Sequence, residues 1–360
     1  MARVDSFLRV AVDQRGSDLH LHAGKPPTVR LDGDLVPLPF RNLSPLEARR
    51  FIYEILDAAG REELDSRQQL DFVHVVEGVG RFRVNAFFQR EGLSAVFRVV
   101  PNRPPTMDEL MLPGLFRDLA RLPNGLVLIT GPTGSGKTTT LAAMLDEINR
   151  TSGRHIITLE DPVEFVHRPV MSAITQREIG RDVESFAAGL RSALRESPDV
   201  LMVGELRDPE TIQLALQAAE TGVLVLGTLH TGTAARAAER IVDSVPEGSR
   251  EQARSVLSVL LRAVVAQQLC RRAWGEGRIA AVEVLMQSHA VSTMIREARI
   301  HQLEAHVQSS GADGRGTQGL DHCLLRYVRE GLIDAREALR VARNPEKLQE
   351  ALSALYEDGL

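Results

Sequence analysis

Eight consecutive residues, Gly131-Pro-Thr-Gly-Ser-Gly-Lys-Thr138, form a complete phosphate-binding loop, and the apolar run Gly125–Thr130 leads directly into it. A strand that ends in such a loop and continues as a helix directs backbone N–H groups and a helix N-terminus at one point, which binds polyphosphate. We expect Lys137 to reach the β- and γ-phosphates and the Thr138 hydroxyl to bind Mg²⁺. The residues predicted to contact ATP are Gly131, Pro132, Thr133, Gly134, Ser135, Gly136, Lys137, Thr138 and Thr139.

Acidic side chains follow two further apolar runs, where ligands meet the strands of a parallel sheet. Glu160, Asp161 and Glu164 come after the run 155–159, and a carboxylate there either positions an attacking water or forms a solvated acidic turn. Glu205 follows the run 200–203 in the Walker B position, from which an acid normally holds Mg²⁺. The usual acid at the Walker B position is aspartate, so a glutamate there narrows the range of P-loop families to which the chain can belong.

A histidine, His230, follows the apolar run 223–226. An imidazole at this point can hydrogen-bond a terminal phosphate and report its presence, although a single histidine after a strand is more often structural. The context favours the first interpretation, because phosphate loop, acidic turn, Glu205 and His230 follow one another on successive predicted strands.

These candidate residues require a parallel sheet to position them, and the patterning predicts one. Alternating segments and one helical block predict a small α+β domain over 1–100, and three prolines between positions 101 and 105 predict a linker over 101–112. From 113 to 360, apolar strands alternate with helical patterns, which predicts an α/β domain whose sheet is covered on both faces. After about residue 235 the chain is predicted to be mostly helical, over 249–272, 289–307 and 320–343.

Composition excludes several classes of protein. A formal net charge of -5 over 360 residues argues against nucleic acid as a partner. The apolar runs are far shorter than the roughly 20 residues that a membrane-spanning helix needs, and the N-terminus lacks the pattern of an export signal, so we expect a cytoplasmic protein. Two cysteines cannot form a tetracysteine zinc site.

Three segments closely resemble motifs of the secretion ATPases of type II secretion and type IV pili, specifically the pilus retraction motors. Residues 157–165 are similar to the family's Asp box, 203–208 to its Walker B motif and 227–231 to its His box. The segments 16–22 and 81–88 resemble parts of the family's PAS-like N-terminal domain. The resemblance implies a RecA-like P-loop ATPase core. It also implies that Glu164 is the catalytic base, that Glu205 holds Mg²⁺ through water and that His230 senses the γ-phosphate.

The resemblance further implies a homohexameric ring in which a neighbour's N-terminal domain supplies arginines to ATP, and Arg83 and Arg98 match those positions. The alternative for this pair is two exposed strand arginines. The remaining partners that the family implies are an inner-membrane pilus platform protein and a paralogous retraction ATPase, which would place the chain in the cytoplasm at the periphery of the inner membrane.

Two features bear on which kind of secretion ATPase the chain resembles. Pilus assembly and type II export motors usually carry an extra N-terminal domain and a tetracysteine insertion, and the chain has no room for that insertion between Cys270 and the run 279–284, which favours retraction. Against this, Ser292 stands where the AIRAGRE motif of retraction motors has an arginine, and 316–321 departs from a second motif. An accessory or divergent paralogue, an assembly or export motor, and an ATP-binding switch with little hydrolysis remain alternatives.

Overall fold

The computed structural model describes residues 2–31, 34–100, 103–275, 277–311 and 316–357. The chain divides into two compact units, Met1–Arg103 and Pro104–Leu360. Within the described residues, no helix has both the length and the apolar character that crossing a membrane requires.

The first unit is built on a six-stranded sheet in the order β3-β2-β1-β6-β5-β4, and its neighbouring strands are antiparallel. Its core contains fully buried aromatic side chains from two neighbouring strands, Phe82 and Phe97. Its elements are α1 Val4–Asp13, β1 Asp18–Leu21, β2 Thr28–Leu31, β3 Asp34–Pro37, α2 Pro45–Tyr53, α3 Ala58–Arg67, β4 Gln69–Val76, β5 Gly80–Gln89 and β6 Gly92–Val100.

The second unit is built on a seven-stranded sheet in the order β13-β12-β7-β11-β10-β8-β9. Its first elements are α4 Leu115–Ala120, β7 Gly125–Thr130, α5 Lys137–Thr151, β8 His155–Glu160, β9 Ala173–Glu178, α6 Phe186–Ala193, β10 Val200–Val203, α7 Pro209–Glu220 and β11 Leu224–Leu229. Then follow α8 Ala234–Asp243, a 3₁₀ turn at Glu247–Ser249, α9 Arg250–Leu260, β12 Leu261–Arg271, β13 Arg278–Met286, α10 His289–Arg296, α11 Ile300–Ser309, α12 Leu320–Arg329, α13 Ala335–Val341 and α14 Pro345–Glu357.

The sheet of the second unit is parallel except for its edge strand β13, which runs antiparallel to β12. Successive residues of β7 belong to different hydrophobic clusters, with Val127 and Ile129 in one and Leu126 and Leu128 in the other. Since side chains alternate between the faces of a strand, both faces of the sheet are covered. The prediction of an α/β core with a parallel sheet and a largely helical C-terminal region is confirmed.

The helix predicted over 249–272 is wrong in its second half. The helix α9 ends at Leu260, and the chain continues directly as β12, which lies between β7 and β13. Residues 263–266 of this strand are all buried. A strand that is buried on both faces has an unbroken apolar pattern, and periodicity cannot distinguish this from a buried helix.

Smaller differences concern the ends of elements. The strand β11 extends to Leu229. Residues 227–229 of the segment that resembles the His box therefore lie in the strand, and His230 and Thr231 follow it. Glu160 is the last residue of β8 and does not lie beyond it. The helical stretches predicted over 289–307 and 320–343 are each divided into two helices, α10 with α11 and α12 with α13.

Candidate nucleotide-binding site

The phosphate-binding loop joins the fully buried strand β7 to the N-terminus of α5, as predicted. The ammonium group of Lys137 donates hydrogen bonds to the carbonyl oxygens of Gly131 at 2.9 Å and Pro132 at 3.0 Å. Burial lowers the pKa of Lys137, while the carboxylate of Glu205 acts in the opposite direction. The loop therefore holds a cation at its centre, beside the N-terminus of a helix, which fits the binding of a polyphosphate.

A cleft of about 470 Å³ lies along this loop, and we call it the nucleotide cleft. It receives residues from the carboxyl ends of β8, β10 and β11, which is where parallel sheets bind ligands. The predicted residues that line it are Thr133, Gly134, Gly136, Lys137, Thr138, Thr139, Glu160, Asp161, Glu164, Glu205 and His230. The structure thus brings the predicted acids and the histidine to the same cleft as the loop.

The Walker B glutamate and the histidine lie side by side. The Nε2 atom of His230 is 3.5 Å from Oε1 of Glu205, which also lies 3.2 Å from Nε of Arg207. The residue after the histidine is tied to the end of β7, because the backbone N–H of Thr231 donates to the hydroxyl of Thr130 at 2.9 Å. This bond fixes the His230 segment relative to the strand that carries the loop.

Two of the three acidic residues predicted at the end of β8, Glu160 and Glu164, have different environments. Glu160 is buried and accepts hydrogen bonds from the Thr158 hydroxyl at 2.7 Å, from Nε2 of Gln176 at 3.1 Å and from the backbone of Glu164. Burial raises the pKa of Glu160, and these hydrogen bonds oppose the shift. Glu164 lines the cleft with an exposed side chain, so water can reach its carboxylate.

The side chains of Thr138 and Glu205 fit a magnesium ion. Both line the nucleotide cleft, and hydroxyl and carboxylate oxygens are ligands of the type that Mg²⁺ prefers. Such a site keeps several waters and is completed by phosphate oxygens, so two protein side chains suffice.

Arg83 and Arg98 lie directly opposite each other on the neighbouring strands β5 and β6 of the first unit. The Nε atom of Arg98 donates to Asp18 at 3.0 Å, while 69% of its side chain remains exposed. Burial opposes ionisation of Asp18, but hydrogen bonds from Ser17 and Arg98 outweigh it and lower the pKa of this carboxyl. The structure therefore brings the two predicted arginines together on one exposed part of the sheet.

The model of the type II/IV secretion system protein family matches residues 3–340 of the chain. The chain belongs to this family. It is 46% identical over 346 residues to the type IV pilus retraction ATPase PilT of Pseudomonas aeruginosa, which covers 95% of the chain and 99% of PilT. It is 38% identical over 345 residues to the type IV pilus ATPase PilU of the same organism, which covers 96% of the chain and 90% of PilU.

A crystal structure of the pilus retraction motor PilT with bound ADP is similar to the whole chain. The TM-score is 0.90 at 41% sequence identity, and the alignment covers 97% of this chain and 99% of that one. The fold is therefore that of a secretion ATPase, and the chain is a P-loop ATPase of this family.

Residues that sequence reasoning did not select also line the cleft of this secretion ATPase. Among them are Phe186, at the start of α6, Leu269 of β12 and Arg278, the first residue of β13. Sequence reasoning could have selected Leu269 and Arg278 only if β12 had been recognised as a strand, because β12 and β13 extend the sheet beside the loop.

The serine that departs from the retraction motif is buried between two helices. Ser292, in α10, is 7% exposed, and its hydroxyl donates to the carbonyl of Ser258 in α9 at 2.6 Å. Of the neighbours that agree with the motif, Ile295 is buried whereas Arg296 and Glu297 are exposed. The position of the expected arginine is therefore enclosed in this secretion ATPase.

The segment after His230 is also connected to the C-terminal helices. The guanidinium group of Arg343, which lies between α13 and α14, donates to the carbonyl of Gly232. The backbone N–H of Ala234 donates to the buried carboxyl of Glu283 at 2.7 Å, and Arg343 Nε lies 3.7 Å from the same carboxyl. Burial raises the pKa of Glu283, while these two partners act against the shift.

Proposed function

We propose that this chain hydrolyses ATP to power the retraction of type IV pili, and hence twitching motility. The observation that carries the proposal is the convergence of Lys137, Glu164, Glu205 and His230 on one cleft. A loop that only bound nucleotide would not need a carboxylate and an imidazole at the far end of the phosphate chain. The similarity to a retraction ATPase over 95% of the chain supports pilus retraction as the work that this hydrolysis drives.

The side chains of the cleft divide the hydrolytic step among them. Glu164, with its exposed carboxylate, orients the attacking water and accepts its proton. Lys137 offsets the negative charge that develops on the transferred phosphoryl group. His230 hydrogen-bonds the terminal phosphate and loses this partner after hydrolysis. Thr138, and Glu205 through water, would hold Mg²⁺, which would supply further charge neutralisation.

The assembly that we propose is a homohexamer in which Arg83 and Arg98 of one subunit contact the nucleotide of its neighbour. The proposed domains are a PAS-like domain over 1–100, a linker over 101–112 and the ATPase domain over 113–360, and nucleotide-driven rearrangement about the linker produces the work. The exposed and adjacent placement of the two arginines supports this role. The remaining proposed partners are an inner-membrane platform protein and a paralogous motor, at the cytoplasmic face of that membrane.

The hydrolytic part of the proposal is tested by steady-state phosphate release. We expect Glu164→Gln to lower kcat by about 10²- to 10⁴-fold, as expected for loss of a general base, while ADP still binds. Lys137→Ala should lower both hydrolysis and ADP affinity. The control is Glu184→Gln, which removes an exposed carboxylate that does not line the nucleotide cleft and should retain wild-type activity. Equal, low rates in the wild type and all three variants would support the ATP-binding switch instead.

The cellular part is tested by deletion of the gene and complementation. A retraction motor should leave cells piliated but without twitching, and complementation with Lys137→Ala should fail to restore movement. Cells without surface pili would indicate an assembly motor. Because the chain is also 38% identical to PilU, an accessory motor is a second candidate, and its deletion should leave twitching partly intact.

A further inference from the structure

The side chain of Gln267 connects the phosphate-binding loop to the helix that follows it. Its Nε2 atom donates to the carbonyl oxygen of Ser135 at 2.7 Å, and its Oε1 atom accepts from the hydroxyl of Thr140 at 2.9 Å. Gln267 and Thr140 are each 1% exposed, and Ser135 is 4% exposed. Both ends of this amide are therefore bonded inside the protein, where hydrogen bonds are strong and costly to lose.

The chemistry of the partners determines the orientation of the amide. A carbonyl oxygen only accepts hydrogen bonds, so the atom of Gln267 that faces Ser135 must be the NH₂ group. The hydroxyl of Thr140 then supplies the donor that Oε1 requires. The bonds leave no alternative arrangement, so the carbonyl of Ser135 is held at a defined distance from α5.

The backbone of β12 also limits the shape of the loop at two glycines. A Cβ atom at Gly131 would overlap the carbonyl oxygen of Gln267, and one at Gly136 would lie 2.9 Å from its Nε2 atom. Both glycines have positive φ angles, 146° at Gly131 and 85° at Gly136. The loop is thus closely packed against Gln267 on the side where β12 continues past the end of β7.

We propose that Gln267 is a positioning residue for nucleotide binding, which holds the loop in its phosphate-binding shape before the nucleotide arrives. The side chain is too deeply buried to contact a nucleotide itself, so it acts through Ser135 and Thr140. A loop fixed in advance does not have to be ordered by the ligand, and the cost of ordering is removed from binding. This inference rests on nucleotide binding by the loop, which is one part of the proposed function.

The test compares ADP affinity and ATP hydrolysis in four variants of the full chain. Gln267→Ala removes both hydrogen bonds, and we expect the Kd for ADP and the KM for ATP to rise about tenfold. Thr140→Val removes one bond without changing the volume and should give a smaller rise. The matched control is Gln268→Ala, which removes the same type of side chain at the next position of the strand. Gln268 is half-buried, and its side chain points to the other face of the sheet. The Kd of this variant for ADP should stay within about twofold of wild type.

The fourth variant, Gln267→Glu, separates positioning from packing. It keeps the volume of the side chain but directs a carboxylate oxygen at the carbonyl of Ser135, so at pH 8 ADP affinity should fall at least as far as in Gln267→Ala. A protonated carboxyl can donate to that carbonyl, and therefore the ratio of variant to wild-type Kd should return toward one as the pH is lowered.

The outcomes distinguish this inference from the function on which it rests. Wild-type ADP affinity in Gln267→Glu at pH 8, or equal losses in Gln267→Ala and Gln268→Ala, would overturn the role of Gln267 and leave the proposed function intact. A loss of kcat with unchanged Kd and KM would do the same. Failure of the wild-type protein to bind ADP would instead refute the proposed function. If Gln267→Ala does not fold, the ADP affinities of Thr140→Val and Gln267→Glu test the role of Gln267 instead.

Discussion

The imidazole of His230 and the carboxylate of Glu205 lie 3.5 Å apart, at the ends of two neighbouring parallel strands. The strands β11 and β10 are paired with Gly227 opposite Val203, so the residues that follow them emerge at the same edge of the sheet. Both side chains line the nucleotide cleft. A change in the charge or position of one side chain therefore changes the electrostatic environment of the other, in the cleft where hydrolysis is proposed.

The first prediction concerns His230→Gln. We expect kcat to fall by about 10²-fold because the terminal phosphate loses an electrostatic partner in the transition state. The Kd for ADP should stay within about twofold of wild type, since ADP has no γ-phosphate. Phosphate release and ADP titration measure the two quantities. His289→Gln, at an exposed position, is the control, and a wild-type kcat in His230→Gln would exclude a role in hydrolysis.

The second prediction concerns Gly131→Ala. The added methyl group would overlap the carbonyl of Gln267, and the backbone has a φ of 146°. We expect the free energy of unfolding to fall by about 3 kcal/mol, from backbone strain and overpacking together. Gly180→Ala is the matched control, because Gly180 also has a positive φ of 81° but open space around it, and it should cost about 1 kcal/mol. Urea unfolding measures both values, and equal losses of stability in Gly131→Ala and Gly180→Ala would contradict the predicted overlap.

The third prediction concerns the buried serine of the retraction motif. Ser292→Ala should lower the free energy of unfolding by about 1 kcal/mol, the typical contribution of one hydrogen bond. Ser292→Arg should lower it by several times as much, about 3 kcal/mol, because an unpaired guanidinium would be forced between α9 and α10. His289→Arg, at the exposed start of α10, should be nearly neutral. A stable Ser292→Arg protein would show that this site opens readily.

The fourth prediction concerns the pH dependence of stability. His167 is 7% exposed, and burial lowers its pKa from 6.5 to about 4. In the unfolded chain His167 therefore takes up a proton near pH 6.5, whereas in the folded protein it remains neutral down to about pH 4. As far as His167 is concerned, the free energy of unfolding has its full value above pH 6.5. It decreases by up to about 3 kcal/mol as the pH falls from 6.5 toward 4.

The measurement for His167 is urea unfolding at a series of pH values. His167→Leu should reduce the slope of stability against pH in this window, because it removes the proton uptake of the unfolded chain. His289→Leu removes an exposed histidine and should leave the slope unchanged. An unchanged slope in His167→Leu would mean that other groups cause the acid sensitivity.

The convergence of much of the candidate nucleotide site on one cleft could be predicted because its motifs are local. The loop 131–138 and the residues Glu164, Glu205 and His230 each follow a buried strand, and parallel strands place their carboxyl ends at one edge. The order of the motifs along the chain was therefore enough to predict a common cleft. Sequence reasoning could not tell Glu160 from Glu164, since only the contacts of Gln176 and Thr158 distinguish the buried carboxyl from the exposed one.

The sequence by itself determined the phosphate loop, the strands that deliver its partners and the family to which the chain belongs. Only the tertiary structure decided that residues 261–271 form a strand, that Gln267 hydrogen-bonds to the loop and that Ser292 is enclosed. The physical reason is that an apolar run without periodicity fits a buried helix as well as a buried strand. The partners Ser135 and Gln267 are also separated by 132 positions, and such a contact leaves no local pattern.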